Sequence, residues 1–228
     1  MTLTGCRADR ATQQSSSIDS SPTTATAAPA APSPQPIDEA DSAKDPRPVI
    51  VCFGDSLTAG YGTEAGQSYP DYLQADLDKL GYRYRVVNAG ISGNTTKDGL
   101  ERVGSILAMK PAVIVVEFGG NDGLRGLRIE DSRANLDKIV GTLKASGARI
   151  VLAGITLPPD YGQDYIHQFN ETYTMLATKY QTPMLPFLLQ GVFGVDGMMQ
   201  RDQTHATAAG NQIVARNVLT LVTPLLKK

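Results

Sequence analysis

A three-layer α/β/α architecture around a mostly parallel five-stranded sheet is what the sequence predicts from residue 49 onward. Three observations predict it. Short apolar runs of strand length alternate with longer stretches whose apolar residues recur at helical spacing. The runs are continuously apolar, as in strands buried on both faces. The residues that follow the first three runs are small, polar and glycine-rich, as at strand ends that border a ligand site.

Residues 49–53, Val-Ile-Val-Cys-Phe, read as the first strand, with a turn at Gly54-Asp55-Ser56. Ser68 caps a helix that Pro70 enters in its first turn. Tyr69, Tyr72, Leu73, Leu77 and Leu80 form its apolar stripe, and Gly81 ends it. Residues 84–88 read as a second strand. A helix follows with Leu100, Val103, Ile106 and Leu107 on one face. Residues 112–118 are the most apolar strand, the third. Leu136, Ile139, Val140 and Leu143 mark another amphipathic helix, closed by Gly147. Residues 149–155 are the fourth strand, 165–180 a helix, 183–187 a short fifth strand and 207–226 a C-terminal helix. Strands alternating with helices argue for a parallel sheet covered on both faces.

The first 48 residues differ in kind. Between residues 11 and 48, 26 of 38 are Ala, Ser, Thr or Pro, and no aromatic precedes Phe53. Such a segment buries too little apolar surface to offset its ordering entropy, so residues 1–48 are expected to be a disordered tail and 49–228 the domain. Leu3-Thr4-Gly5-Cys6 resembles the lipobox of bacterial lipoproteins, in which the cysteine is acylated. Only five residues precede Cys6, so the resemblance implies either a start upstream of Met1 or a chance match.

Charge and composition exclude several classes. With 21 Lys and Arg against 23 Asp and Glu, there is no basic footprint for nucleic acid. No apolar run is long enough to span a bilayer. Cys6 and Cys52 form neither a disulfide framework nor a zinc site, and two histidines, His167 and His205, make no metal cluster. No metal or cofactor is expected.

Ser56, Gly93 and Asn121 fall just after the first three expected strands. A serine hydroxyl needs a base to become a nucleophile, although Ser56 also suits a helix cap. His205 has Asp202 three residues earlier, close enough for one turn to bring the carboxylate to the imidazole. His167 lies among polar residues on a helix and reads as solvated surface. An acyl-transfer site also needs donors for an oxyanion. The Ser56 and Gly93 N–H groups and the Asn121 side-chain amide are the candidates. Turn geometry alone would account for the glycine, and a local Asx turn for Asn121.

Gly54-Asp55-Ser56-Leu57, Gly93, Gly119-Gly120-Asn121-Asp122 and Asp202-x-x-His205 resemble, in order, the four blocks of the SGNH (GDSL-type) hydrolases. The likeness is greatest to the bacterial periplasmic thioesterase, lysophospholipase and arylesterase branch. It spans about residues 49–226. The resemblance implies a flavodoxin-like SGNH hydrolase fold, Ser56 as nucleophile, Asp202 and His205 as its partners, and Ser56, Gly93 and Asn121 as the oxyanion hole. Many members carry Pro after the histidine, where this chain has Ala206. The α/β-hydrolase elbow G-x-S-x-G is excluded because Thr58 stands two residues after Ser56.

An acyl group needs an apolar concave wall. Leu124 and Leu127, Leu157 with Pro158 and Pro159, and residues 187–193 are candidates, with ordinary packing the competing reading for Leu188, Leu189 and Val192. Glycines beside Leu124 would let its loop move. The expected substrates are esters or thioesters of medium to long acyl chains. Acetyl esters of carbohydrates are an alternative that the absence of Trp disfavours. A flavodoxin-like phosphate- or cofactor-binding protein is the rival from another class. The expected setting is the bacterial cell envelope, periplasmic or tethered to the membrane through Cys6, with the enzyme acting as a monomer.

Overall fold

The computed structural model describes residues 1–2 and 45–228; the lipobox-like segment and most of the expected tail lie outside them. Five parallel strands form one sheet in the order β2-β1-β3-β4-β5: β1 is Val49–Gly54, β2 Arg85–Gly90, β3 Val113–Glu117, β4 Arg149–Ala153 and β5 Met184–Leu185. Every residue of β1 and β3 is buried, as their unbroken apolar runs require.

Seven α-helices accompany the sheet among the described residues: α1 Ser56–Ala59, α2 Tyr69–Lys79, α3 Thr96–Ala108, α4 Gly120–Leu124, α5 Ile129–Ala145, α6 Gln163–Tyr180 and α7 Ala208–Val222. Helices α2 and α7 pack together, while α5 packs against both α3 and α6. The chain steps one way from β1 to β2 and the other way for β3 to β5. The sheet's topological switch point therefore lies between β1 and β3, where parallel sheets bind ligands.

Most elements fall where the sequence places them, and the differences have local causes. Strand β5 has two residues rather than five because Pro183 and Pro186 flank it and neither can donate to the ladder. Helix α7 stops at Val222, since Pro224 lacks the N–H that an α-helix needs there, and residues Thr223–Leu225 form a 3₁₀ turn. Strand β2 runs on to Gly90, which pairs with Gly54. Leu80 does not belong to the buried stripe of α2. It is the C-cap and is 49% exposed. Ser68 does cap α2, in a reciprocal capping box with Asp71. Leu188, Leu189 and Val192 are core residues.

Candidate active site

Strand β1 delivers its last residue, Gly54, into the tight α1 turn. Asp55, not Ser56, is the N-cap: its carboxylate accepts the Leu57 N–H at 3.0 Å. That leaves Ser56 as the first helical residue with its hydroxyl uncommitted to capping, which corrects the helix-cap alternative.

The Ser56 Oγ stands 2.9 Å from His205 Nε2, and His205 Nδ1 stands 2.7 Å from Asp202 Oδ2. A carboxylate can only accept, so Nδ1 carries the proton and Nε2 is free to take one from Ser56. The other Asp202 oxygen accepts the Thr204 and His205 N–H groups, each at 3.0 Å, folding the intervening residues into an Asx turn. Burial pushes the Asp202 carboxyl up, but its bonds from the His205 ring and from the two backbone N–H groups outweigh it, and its pKa lies below the ordinary value. His167 is exposed, with Glu171 3.8 Å away, and does not line the cavity that Ser56 and His205 share.

The other expected donors converge here. Gly93 and Asn121 line the same cavity as Ser56 and His205. Among the described residues, neither the Ser56 N–H nor the Gly93 N–H donates to an acceptor within the chain. The Asn121 amide donates to Asp55 Oδ2 at 3.1 Å and to the Asn94 carbonyl at 2.9 Å. Both amide hydrogens are thus engaged, and an oxyanion would have to share or displace one of these bonds.

The cavity has a volume of about 260 Å³ and a mainly apolar wall. Leu124, Leu157 and Pro158 line it, together with Phe187, Leu189 and Phe193. Leu127 and Pro159 do not. Tyr61 and Ile155 also line it and were not singled out from sequence, although Ile155 lies just beyond the end of β4, where the strand-end rule points. A Cβ on Gly123 would sit 2.5 Å from Leu157 Cδ2, so this glycine serves the close packing of the cavity wall rather than loop freedom alone.

Beneath the site lie ionisable groups that the apolar character of the strands conceals. Glu117, the last residue of β3, is fully buried; one carboxyl oxygen accepts the Thr58 hydroxyl at 2.8 Å and the Asp55 N–H at 3.2 Å. Burial, then the neighbouring Asp55 charge, pushes its pKa well above the ordinary value. Burial likewise pushes Asp55 up to about 6, against the bond from the Leu57 N–H. Arg102 donates to the Ala89 and Gly54 carbonyls and stacks over Phe53, 4.9 Å from its centroid. Asp122 ties α4 to α3 and α5 by accepting from Thr96 and Ser132. Among the described residues, no group of three or more His, Cys, Asp or Glu is placed to hold a metal, and no helix is long and apolar enough to cross a membrane.

Residues 52–213 match the GDSL-like lipase/acylhydrolase family model. The chain is 43% identical over 178 residues to the esterase TesA of Pseudomonas aeruginosa, covering 78% of this chain and 89% of that protein. It is 35% identical over 178 residues to thioesterase 1/protease 1/lysophospholipase L1 of Escherichia coli, covering 78% and 84%. The crystal structure of TesA superimposes with a TM-score of 0.75 at 43% identity, covering 78% of this chain and 99% of that one. The conjunction of Ser56, Gly93, Asn121 and His205 at the ends of a five-stranded parallel sheet thus has the company its sequence blocks imply, and the chain belongs to the GDSL-like lipase/acylhydrolase family.

Proposed function

We propose that this protein is a serine esterase that hydrolyses carboxylic esters and thioesters of medium to long acyl chains through an acyl-enzyme on Ser56. The observation that carries the reading is the contact of Ser56 Oγ with His205 Nε2, backed by Asp202, in the lining of an apolar cavity. The Ser56 oxygen attacks the acyl carbon as its proton passes to His205 Nε2. Asp202 orients the ring and stabilises the imidazolium. The tetrahedral oxyanion is held by the Ser56 and Gly93 N–H groups and by Asn121. Its collapse expels the alcohol or thiol, which takes the proton from His205. Water, activated by the same imidazole, then releases the acid.

The acyl tail lies along Leu124, Leu157 and Pro158. These side chains are apolar and enclose a volume far beyond what an acetyl group needs, which favours longer chains over carbohydrate acetyl esters. The bacterial relatives named as an esterase and as a thioesterase and lysophospholipase support the same substrate class. The test is turnover of p-nitrophenyl esters from acetyl to palmitoyl, an acyl-CoA and a lysophospholipid, each with the wild type and with Ser56→Ala. A preference for acetyl esters would remove the long-chain assignment. Turnover surviving in Ser56→Ala would remove the nucleophile.

Residues 1–48 are proposed to tether this domain, residues 49–228, to the bacterial envelope through lipidation of Cys6. A flexible chain of that length reaches roughly 30–40 Å, enough to keep a monomeric hydrolase near lipid. Fractionation of cells expressing the gene from its furthest upstream in-frame start, as the wild type and as Cys6→Ser, with mass spectrometry of Cys6, tests the anchor. Identical soluble behaviour and an unmodified cysteine would overturn it. Light scattering of the purified protein tests the monomer.

A further inference from the structure

Ser56 and His205 are 149 residues apart in the chain. Their contact joins the α1 turn to the turn that precedes α7, and each of these segments needs its own support. On the Ser56 side the chain leaves α1 and passes through Tyr61 and Gly62. On the His205 side, residues 200–206 form a turn closed by the Gln200 N–H to the His205 carbonyl at 2.8 Å and the Thr207 N–H to the Met198 carbonyl at 2.9 Å. The side chain of Gln200 bridges the two segments. Its Nε2 donates to the Tyr61 carbonyl at 2.7 Å and to the Ala206 carbonyl at 2.9 Å.

Three further facts make this bridge specific. Both amide hydrogens are used, each on a carbonyl close to a reacting side chain, Tyr61 five residues after Ser56 and Ala206 one after His205. Gly62 leaves room for the carboxamide, since a Cβ there would lie 2.2 Å from Gln200 Oε1, and its φ of +75° suits glycine. The Tyr61 ring, whose backbone the bridge holds, rests against the His205 ring with centroids 4.6 Å apart.

We propose that Gln200 is a positioning residue for ester hydrolysis, whose carboxamide sets the place of His205 relative to Ser56 by binding the Tyr61 and Ala206 carbonyls together. The proposal rests on the reading of Ser56 and His205 as nucleophile and base. No other amino-acid side chain of similar shape does the same work. A carboxylate at this position would turn acceptors toward two carbonyl oxygens, and an apolar isostere would leave both carbonyls unpaired. The body of the domain is joined independently, by the packing of α2 on α7 and by the Asn211 amide on the Gln67 carbonyl at 2.9 Å. Losing Gln200 therefore loosens the histidine turn rather than the fold.

The experiment compares Gln200→Met, Gln200→Glu and Gly62→Ala with the wild type on a water-soluble short-chain p-nitrophenyl ester. Rates are expressed per active site, counted as Ser56 labelled to completion by a fluorophosphonate. The expected result is a fall in kcat of roughly 10- to 100-fold with KM within about twofold, since small misplacements of a reacting group cost rate rather than binding. Gly62→Ala disturbs the same contact from the other side, so it lowers kcat in the same way. The double variant Gln200→Met/Gly62→Ala then falls no further than the worse single. Wild-type kcat per labelled site in any of the folded variants, a KM rise with kcat unchanged, or multiplicative losses in the double variant would overturn the proposal. His205→Ala is the control for the reading beneath it. If that variant is inactive while Gln200→Met is unimpaired, the positioning role fails and the base stands. If His205→Ala turns over normally, the base assignment itself fails.

Discussion

Ser56, Gly93 and Asn121 follow the ends of β1, β2 and β3, whereas Asp202 and His205 stand on a turn attached to the sheet by no strand. The first region is held by parallel register, by Arg102 on two strand-end carbonyls and by Glu117 beneath α1. The second is held by an Asx turn, two backbone bonds and the side chain of Gln200. The same residue type behaves oppositely in the two regions. In the turn, hydrogen bonds outweigh burial and hold Asp202 below its ordinary pKa, while under the sheet burial dominates and holds Asp55 up at about 6. The turn thus presents a carboxylate that stays charged beside His205 Nδ1. The sheet side carries its acids as packed structural groups.

The sharpest way to break this division is to remove the reacting atoms on each side of it. If Ser56 and His205 act as one unit, as proposed, Ser56→Ala and His205→Ala are each expected to lower kcat by roughly 10³-fold or more, with the double variant little worse than either. Asp202→Ala costs less, since the Nε2 that faces Ser56 remains. Pre-steady-state and steady-state kinetics on one chromogenic ester decide this. Two independent losses that multiply would mean the regions do not act together.

Removing a donor on the sheet side comes next in size. Asn121→Ala is expected to lower kcat by roughly 10²- to 10³-fold, about 2.7–4 kcal/mol, with KM little changed, if its amide serves the oxyanion. Its two bonds in the free protein, to Asp55 and Asn94, sharpen the test. A KM effect alone, or a loss of melting temperature that accounts for the loss of rate, would make Asn121 a support of the loop instead.

The same division explains what could be read from sequence. Strand ends are local: an apolar run that stops at Gly54-Asp55-Ser56 announces both the strand and what projects beyond it. Ser56, Gly93, Asn121, Asp202 and His205 stood out because each belongs to a short block of unusual composition. The exchange of roles between Asp55 and Ser56 at the start of α1 was not legible, because both residue types cap helices equally well. Gln200 was not legible either. Its partner Tyr61 lies 139 residues away, and no spacing rule links a lone glutamine to a backbone carbonyl at that distance. Glu117 was hidden for the opposite reason, as the final residue of the most apolar strand, where its carboxyl is stabilised only by groups the fold brings to it.

Glu117 yields the smallest expected effect and the one whose sign is most informative. Burial and the nearby Asp55 charge hold its carboxyl protonated above the range in which the unfolded chain releases the proton. Between those two values the native state binds more protons than the unfolded state, so stability is fully present at low pH and declines as pH rises toward the folded value. Asp55 adds a similar decline that is mostly complete by about 6, its own folded value. Glu117→Gln keeps a carbonyl oxygen for the Thr58 hydroxyl and the Asp55 N–H but cannot titrate. Its unpaired amide nitrogen costs about 1–3 kcal/mol, a penalty that does not vary with pH. The readout is therefore the change in melting temperature as pH rises above about 6, where Asp55 has titrated, rather than its absolute value. Across that rise the wild type is expected to lose more stability than the variant. An equal loss in both would show that Glu117 is already ionised under the sheet, and that the two regions handle their carboxyl groups alike.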